Sequence, residues 1–262
     1  MGILNEMRYE TLKVRQQADI CYVQIHRPDA GNTINDGLIA EFTQVLDLCE
    51  QDIKVVVLEG LPEVFCFGAD FKAIERTLER RVPGPVLDPE PMYDLWMRLA
   101  NGPYVTIAHV RGQANAGGIG FVAACDVVLC EETSTFGLSE LLFGLMPACV
   151  LPFLARRIGL AKANYMTLMT EPVSARTAHE WGLVDEVSGD TQNLLRKKLL
   201  RLRRLSKAGI RRYKRYMNAL DGSLSVARSK ALEANVEVFS DEENLRGIAR
   251  YVTTGEFPWE GV

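Results

Sequence analysis

Histidine is scarce in this sequence. His26, His109 and His179 lie far apart and form neither an HExxH motif nor a Cys/His cluster, so no metal site is expected. Disulfide spacing is missing as well: Cys21, Cys49, Cys66, Cys125, Cys130 and Cys149 contain no CxxC pair, which suits a reducing cytoplasm better than secretion. No apolar run approaches the roughly 18 to 20 residues of a membrane helix, and MGILNEMRYE lacks the positive-then-apolar order of an export signal. Neither a membrane span nor a targeting segment is read. Positive charge is not in excess, since 30 Lys and Arg against 34 Asp and Glu leave a net charge of -4, which argues against general nucleic-acid binding. One segment departs from that average: RKKLLRLRRLSKAGIRRYKR, at 196–215, is densely basic and contains no acid.

What remains is an ordinary globular composition, 47% apolar and 24% charged over 262 residues, enough for one large core. CYVQIH at 21–26 reads as a strand, a helix follows over about 36–49, and KVVVLE at 54–59 is the short valine-rich run of a buried parallel strand. Strand, helix, strand is the opening of an α/β fold. A charged helix after VFCFGADF stops at VPGPVLDPEP, whose prolines demand a loop able to cover a site. Next come a helix over about 92–101, a strand at 104–110, a glycine motif with a helix to about 124, a short strand at 127–130 and one more segment from 135. From about 151 the pattern turns helical: LPFLARRIG, AKANYMTLMT, then SARTAHEWGL capped by Ser174. The reading is an α/β core over 1–190 and a helical C-terminal region over 191–262.

The motif QANAGGIGFVAACD raises the sharpest question, because each glycine in a helix costs about 1 kcal/mol relative to alanine. A dinucleotide fingerprint fits GIGFVA, but its acid would be Glu140, which follows a turn instead of closing a parallel strand. An oxyanion hole explains the glycines better: a bare amide at a helix start, with a second from FCFGAD, stabilises the charge of a thioester enolate. Close helix packing is the plain alternative.

VFCFGADF, VRGQANAGGIGFVAACDVV, FGLSELLFGLMP and AHEWGLVDEV, in this order and at matching separations, resemble the enoyl-CoA hydratase/isomerase (crotonase) family, and the likeness runs from HRPDAGNTIN to the final helices. The resemblance implies a spiral of ββα units with a helical C-terminal region that builds trimers or hexamers, and no cofactor. It implies amide donors at Ala69 and Gly117, with Gly118 beside them. It sets Lys72 against the phosphates of the thioester's carrier and leaves Asp70 structural.

The family's hydratases use two glutamates around a water, and here the first position holds Gly120 while the second holds Glu140. One carboxylate still shuttles a proton, and Leu138, Leu141 and Leu142 would raise its pKa. GLPEVFCFGADF, YDLWMRLANGPYVTIAHVRGQANAGG, SELLFGLMPACVLPFLARRIG, NYMTLMT and TGEFPWE are similar to crotonase-like enzymes of polyketide β-branching, which dehydrate 3-hydroxy-3-methylglutaryl groups on an acyl carrier protein to 3-methylglutaconyl groups. The expected partners are such a carrier, docking on the basic segment, and other β-branching enzymes. A hydratase, isomerase or decarboxylase on a related thioester is the alternative. Arg76, Arg80, Arg81 and Arg111 are candidates for the substrate's free carboxylate, Tyr93 and Trp96 for pocket walls, and Asp70 or Asn115 for a second polar group. Cys66 reads as a small buried residue instead of a nucleophile.

Overall fold

The computed structural model describes residues 3–79 and 87–260. Arg80, Arg81 and the start of the proline segment lie outside the described residues. A hairpin of β1 (Leu12–Gln17) and β2 (Ile20–Ile25) edges a six-stranded sheet that continues in parallel through β3 (Val55–Glu59), β5 (Val105–Val110), β7 (Val127–Glu131) and β10 (Glu186–Ser188). A smaller sheet holds β4 (Val64–Cys66), β6 (Gln113–Asn115), β8 (Thr135–Gly137) and β9 (Val173–Ser174).

Three times the chain sends one strand to the large sheet and the next to the small one, in the pairs β3–β4, β5–β6 and β7–β8. Each pair advances one place in both sheets, which generates the ββα spiral. The crossing between β5 and β6 needs Gly112, where φ is +64° and an added Cβ would stand 2.7 Å from the Glu63 Cα.

Side-chain alternation explains why KVVVLE is apolar from Val55 to Leu58. Val56 and Leu58 enter the main core with Phe121 and Trp96, while Val55 and Val57 face Leu195 and Leu199 of α7 (Thr191–Leu202). The C-terminal helices therefore begin on the outer face of this sheet. The expected helices α1 (Asp36–Cys49, capped by Asn35) and α6 (Ala175–Glu180, capped by Ser174) form with their caps. LPFLARRIG and AKANYMTLMT join as one bent helix, α5 (Leu151–Met169), broken at Gly159 with φ +78°.

Part of the basic run is committed inside the molecule. Along α7 and α8 (Lys207–Leu220), Lys198 pairs with Glu186, Arg203 with Asp19, and the buried Lys214 with Asp126, while Lys207 and Arg211 donate to carbonyls near the end of α1. α7 covers the outer face of the large sheet, while α8 reaches Asp126, the last residue of the glycine motif, through Lys214. Among the described residues Lys197, Arg201, Arg204, Arg212 and Arg215 pair with no acid.

Candidate active site

The motif HRPDAGNTIN acts as a brace. Asn32, in the left-handed region at φ +53°, donates through Nδ2 to the carbonyls of Ile25 and Phe65, tying β2 to β4. Two residues on, Ile34 forms a parallel bridge with Ala69: its N–H donates to Gly68 O at 2.7 Å, and Asp70 N–H donates to Ile34 O at 3.0 Å. That bridge uses the groups on either side of Ala69, so the Ala69 N–H points to the opposite edge.

The helix α4 (Gly117–Ala124) begins on that edge. Its preceding residue, Ala116, is held at φ +50° and ψ -122°, an unusual conformation for a residue with a side chain. The turn leaves Gly117 N–H as an unpaired donor at the positive end of the helix. A Cβ on Gly68 would sit 3.1 Å from Gly117 N, which measures how closely the two loops approach. Ala69 and Gly117 line one cavity, and Glu140 lines it too.

Glu140 opens a single-turn helix, Glu140–Phe143, that follows β8. It is half-buried, but its Oε2 is sealed from solvent and has no hydrogen-bond partner among the described residues. Burial pushes its pKa up to about 7, with the main-chain N–H groups of Glu140 and Ser139 opposing part of the rise. Such a group takes and returns a proton near neutrality. The cavity measures about 120 Å³ and opens to solvent.

At the position of the family's first glutamate, a Cβ on Gly120 would stand 2.6 Å from Cε2 and Cη2 of Trp96. The indole fills that volume. Trp96, from α3 (Glu90–Asn101), is the wall residue expected of it, whereas Tyr93 is fully buried and donates its hydroxyl to Leu224 O at 2.7 Å instead of lining the cavity. Asp36 and Asp88 also lie in the lining and are exposed.

Other expected residues lie elsewhere. Gly118 is a packing glycine, because a Cβ there would run into the Cys66 carbonyl of β4. Arg111 and Arg76 do not line the cavity, and among the described residues its walls contain no lysine or arginine. Lys72 is exposed on α2 (Phe71–Glu79), next to Phe71 of the cavity wall. Asp70 is structural: burial would raise its pKa, but the Arg27 guanidinium at 2.8 Å and the Ala73 N–H outweigh this and hold it low. Asn115 donates to Ser139 Oγ at 2.8 Å and braces the Glu140 turn from outside the cavity. Burial drives the Cys66 thiol up to about 12, which removes it as a nucleophile near neutral pH. His109 is buried with Nδ1 2.8 Å from Glu59, and His179 Nδ1 contacts Val184 O at 2.9 Å, both away from the cavity.

Residues 15–262 match the enoyl-CoA hydratase/isomerase family. The chain belongs to that family. Among its curated relatives it is 59% identical, over 96% of its length and 97% of the other chain, to the bacillaene synthase dehydratase PksH of Bacillus subtilis. It is 32% identical to a hydroxycinnamoyl-CoA hydratase-lyase of Pseudomonas fluorescens, over 69% of this chain and 67% of that one. The crystal structure of the pksH product of B. subtilis superposes with a TM-score of 0.94, covering 96% of this chain and all of that one at 59% identity. An enoyl-CoA hydratase/isomerase from Xanthobacter autotrophicus Py2 gives 0.83 at 27% identity, covering 95% of each chain. The molecule thus has the family's crotonase fold.

Sequence reasoning overlooked Asn235, which lies in the cavity wall on α9 (Ser223–Ser240). Its signal was a polar residue at helical spacing from the buried Leu224, Ala231 and Phe239.

Proposed function

We propose that this protein is a dehydratase that removes water from a 3-hydroxy-3-methylglutaryl group on an acyl carrier protein, giving the 3-methylglutaconyl thioester of polyketide β-branching. The observation that carries the reading is one carboxyl of raised pKa facing the cavity of Ala69 and Gly117, with an indole where a second carboxylate would stand. The 59% identity to a polyketide dehydratase supports the substrate class.

In this mechanism the thioester oxygen lies between the two amides. Ionised Glu140 takes the proton from the carbon next to the carbonyl, and the enolate charge falls on the oxygen. Each amide donor supplies roughly 3 to 4 kcal/mol at that point. The enolate then collapses, the α,β double bond forms, the carbon–oxygen bond at the β position breaks, and Glu140 returns its proton to the leaving hydroxyl as water. With Trp96 in place of a second carboxylate, the site lacks the partner that would hold a water for ordinary hydration.

Lys72 and Arg76, exposed on α2, are the cations proposed to meet the phosphopantetheine phosphate and the acidic carrier. Self-association into a trimer is supported by exposed apolar side chains, including Leu160 on α5 and Tyr213, Tyr216 and Leu220 on α8. A cytoplasmic setting accords with six cysteines that are all buried and free.

The test is a mass-resolved assay with the 3-hydroxy-3-methylglutaryl-loaded carrier, run beside its coenzyme A thioester. The expected product is lighter by one water, carrier substrate is preferred, and Glu140→Gln lowers turnover by a factor of about 100 to 10,000. Release of carbon dioxide, or near-normal turnover by the glutamine variant, would refute the reading.

A further inference from the structure

Asn235 is a polar group of the cavity that the proton shuttle leaves unused. It occupies the buried stripe of α9, with Ala231 one turn before it and Phe239 one turn after. Only 8% of the residue is exposed, its Oδ1 is sealed from solvent, and among the described residues no donor reaches that oxygen. A buried acceptor without a donor weakens a fold, and a leucine would fill an apolar stripe without that penalty. The position therefore makes sense for a ligand that brings its own donor.

The surroundings fix where that ligand lies. Phe239 packs in a cluster with Phe143 and Leu145, so the next turn of α9 rests on the short helix that Glu140 begins. Cys149, another residue of the cavity wall, approaches Ala231 O through Sγ at 3.6 Å. Asn235 thus stands between two contacts that bind α9 to the site.

Hydrogen-bonding character narrows the ligand group. An oxygen acceptor needs an O–H or N–H. A thioester carbonyl has none, and a carboxylate that is ionised at neutral pH has none either. In a β-hydroxyacyl chain the hydroxyl is the remaining donor. We propose that Asn235 orients the substrate, its side-chain oxygen accepting a hydrogen bond from the β-hydroxyl and turning a lone pair of that hydroxyl toward Glu140. When Glu140 delivers its proton to the oxygen and the carbon–oxygen bond breaks, the departing water keeps its hydrogen bond to Asn235. This assignment rests on the dehydration reading and adds the residue that selects the hydroxyl.

Two reactions separate the roles. Exchange of the α-proton in heavy water, followed by mass on a hydroxyl-free 3-methylglutaryl carrier, needs Glu140 and the two amides but not Asn235. Water loss from the 3-hydroxy-3-methylglutaryl carrier needs all of them. For Asn235→Leu the expected result is a Tm equal to or above that of the unaltered protein, exchange within about twofold, and water loss slower by roughly 10- to 100-fold. Asn235→Ala, which cannot clash, should give the same split between exchange and water loss. Unchanged water loss in both variants, or exchange falling in parallel with it, overturns the assignment. An unaltered protein that exchanges the proton but never releases water refutes the dehydration reading, and the assignment with it.

Discussion

In the proposed mechanism Glu140 couples catalysis to stability through one carboxyl. Its folded pKa of about 7 lies above the ordinary value of 4.5, so between those pH values the native state holds a proton that the unfolded chain has lost. Stability should fall as pH rises through that window, by on the order of 2 to 3 kcal/mol before solvent at the open mouth screens it. Glu140→Gln removes the titration, so denaturant melts should find the variant gaining on the unaltered protein from pH 5 to pH 8. Activity runs the other way: the base must be ionised, so kcat/KM should drop tenfold per unit below about pH 7 and level off above it. At Gly120 the expectation is steric. Gly120→Glu drives a side chain into the Trp96 ring and should cost at least 1 to 3 kcal/mol in chemical unfolding while conferring no hydratase activity.

Among the elements, what the sequence revealed depended on length and periodicity. The strands β2, β3 and β5 and the helices α1 and α3 were legible because each has at least five residues of clear pattern. The short sheet was not, since strands as brief as Val64–Cys66 and Gln113–Asn115 carry no alternation to read. The same limit hid the geometry that joins them: chemistry suggested pairing FCFGAD with the glycine motif, and the family resemblance narrowed the donors to Ala69 and Gly117. The basic run shows a different limit: charge density says nothing about whether Lys198, Arg203 or Lys214 already has an internal acid. Ala116 offers a test at this scale. Ala116→Gly relieves a positive φ and should leave Tm unchanged or higher, while the looser turn slows turnover by aiming Gly117 N–H less firmly.

The whole molecule gathers its site from segments far apart in the chain: the loop at Ala69, the start of α4, the turn at Glu140 and the stripe of α9. Docking of an acidic carrier is expected to depend on Lys72 and Arg76 and not on the basic run of α7 and α8. Exchanging both for alanine should raise KM for the carrier substrate several-fold and weaken its dependence on salt, while Lys197→Ala and Arg201→Ala change neither. A further consequence follows from Phe143, whose ring meets Tyr251 of α10 (Glu242–Thr254) at 5.1 Å and Phe257 at 5.5 Å, and from Asn244, which donates to Gly144 O at 3.1 Å. The seat of the Glu140 carboxyl is thus propped by residues a hundred positions downstream. Controlled carboxypeptidase digestion should accordingly silence the enzyme at a stage when the sheets still melt as one unit, with the loss of function tracking the removal of Phe257 and Tyr251.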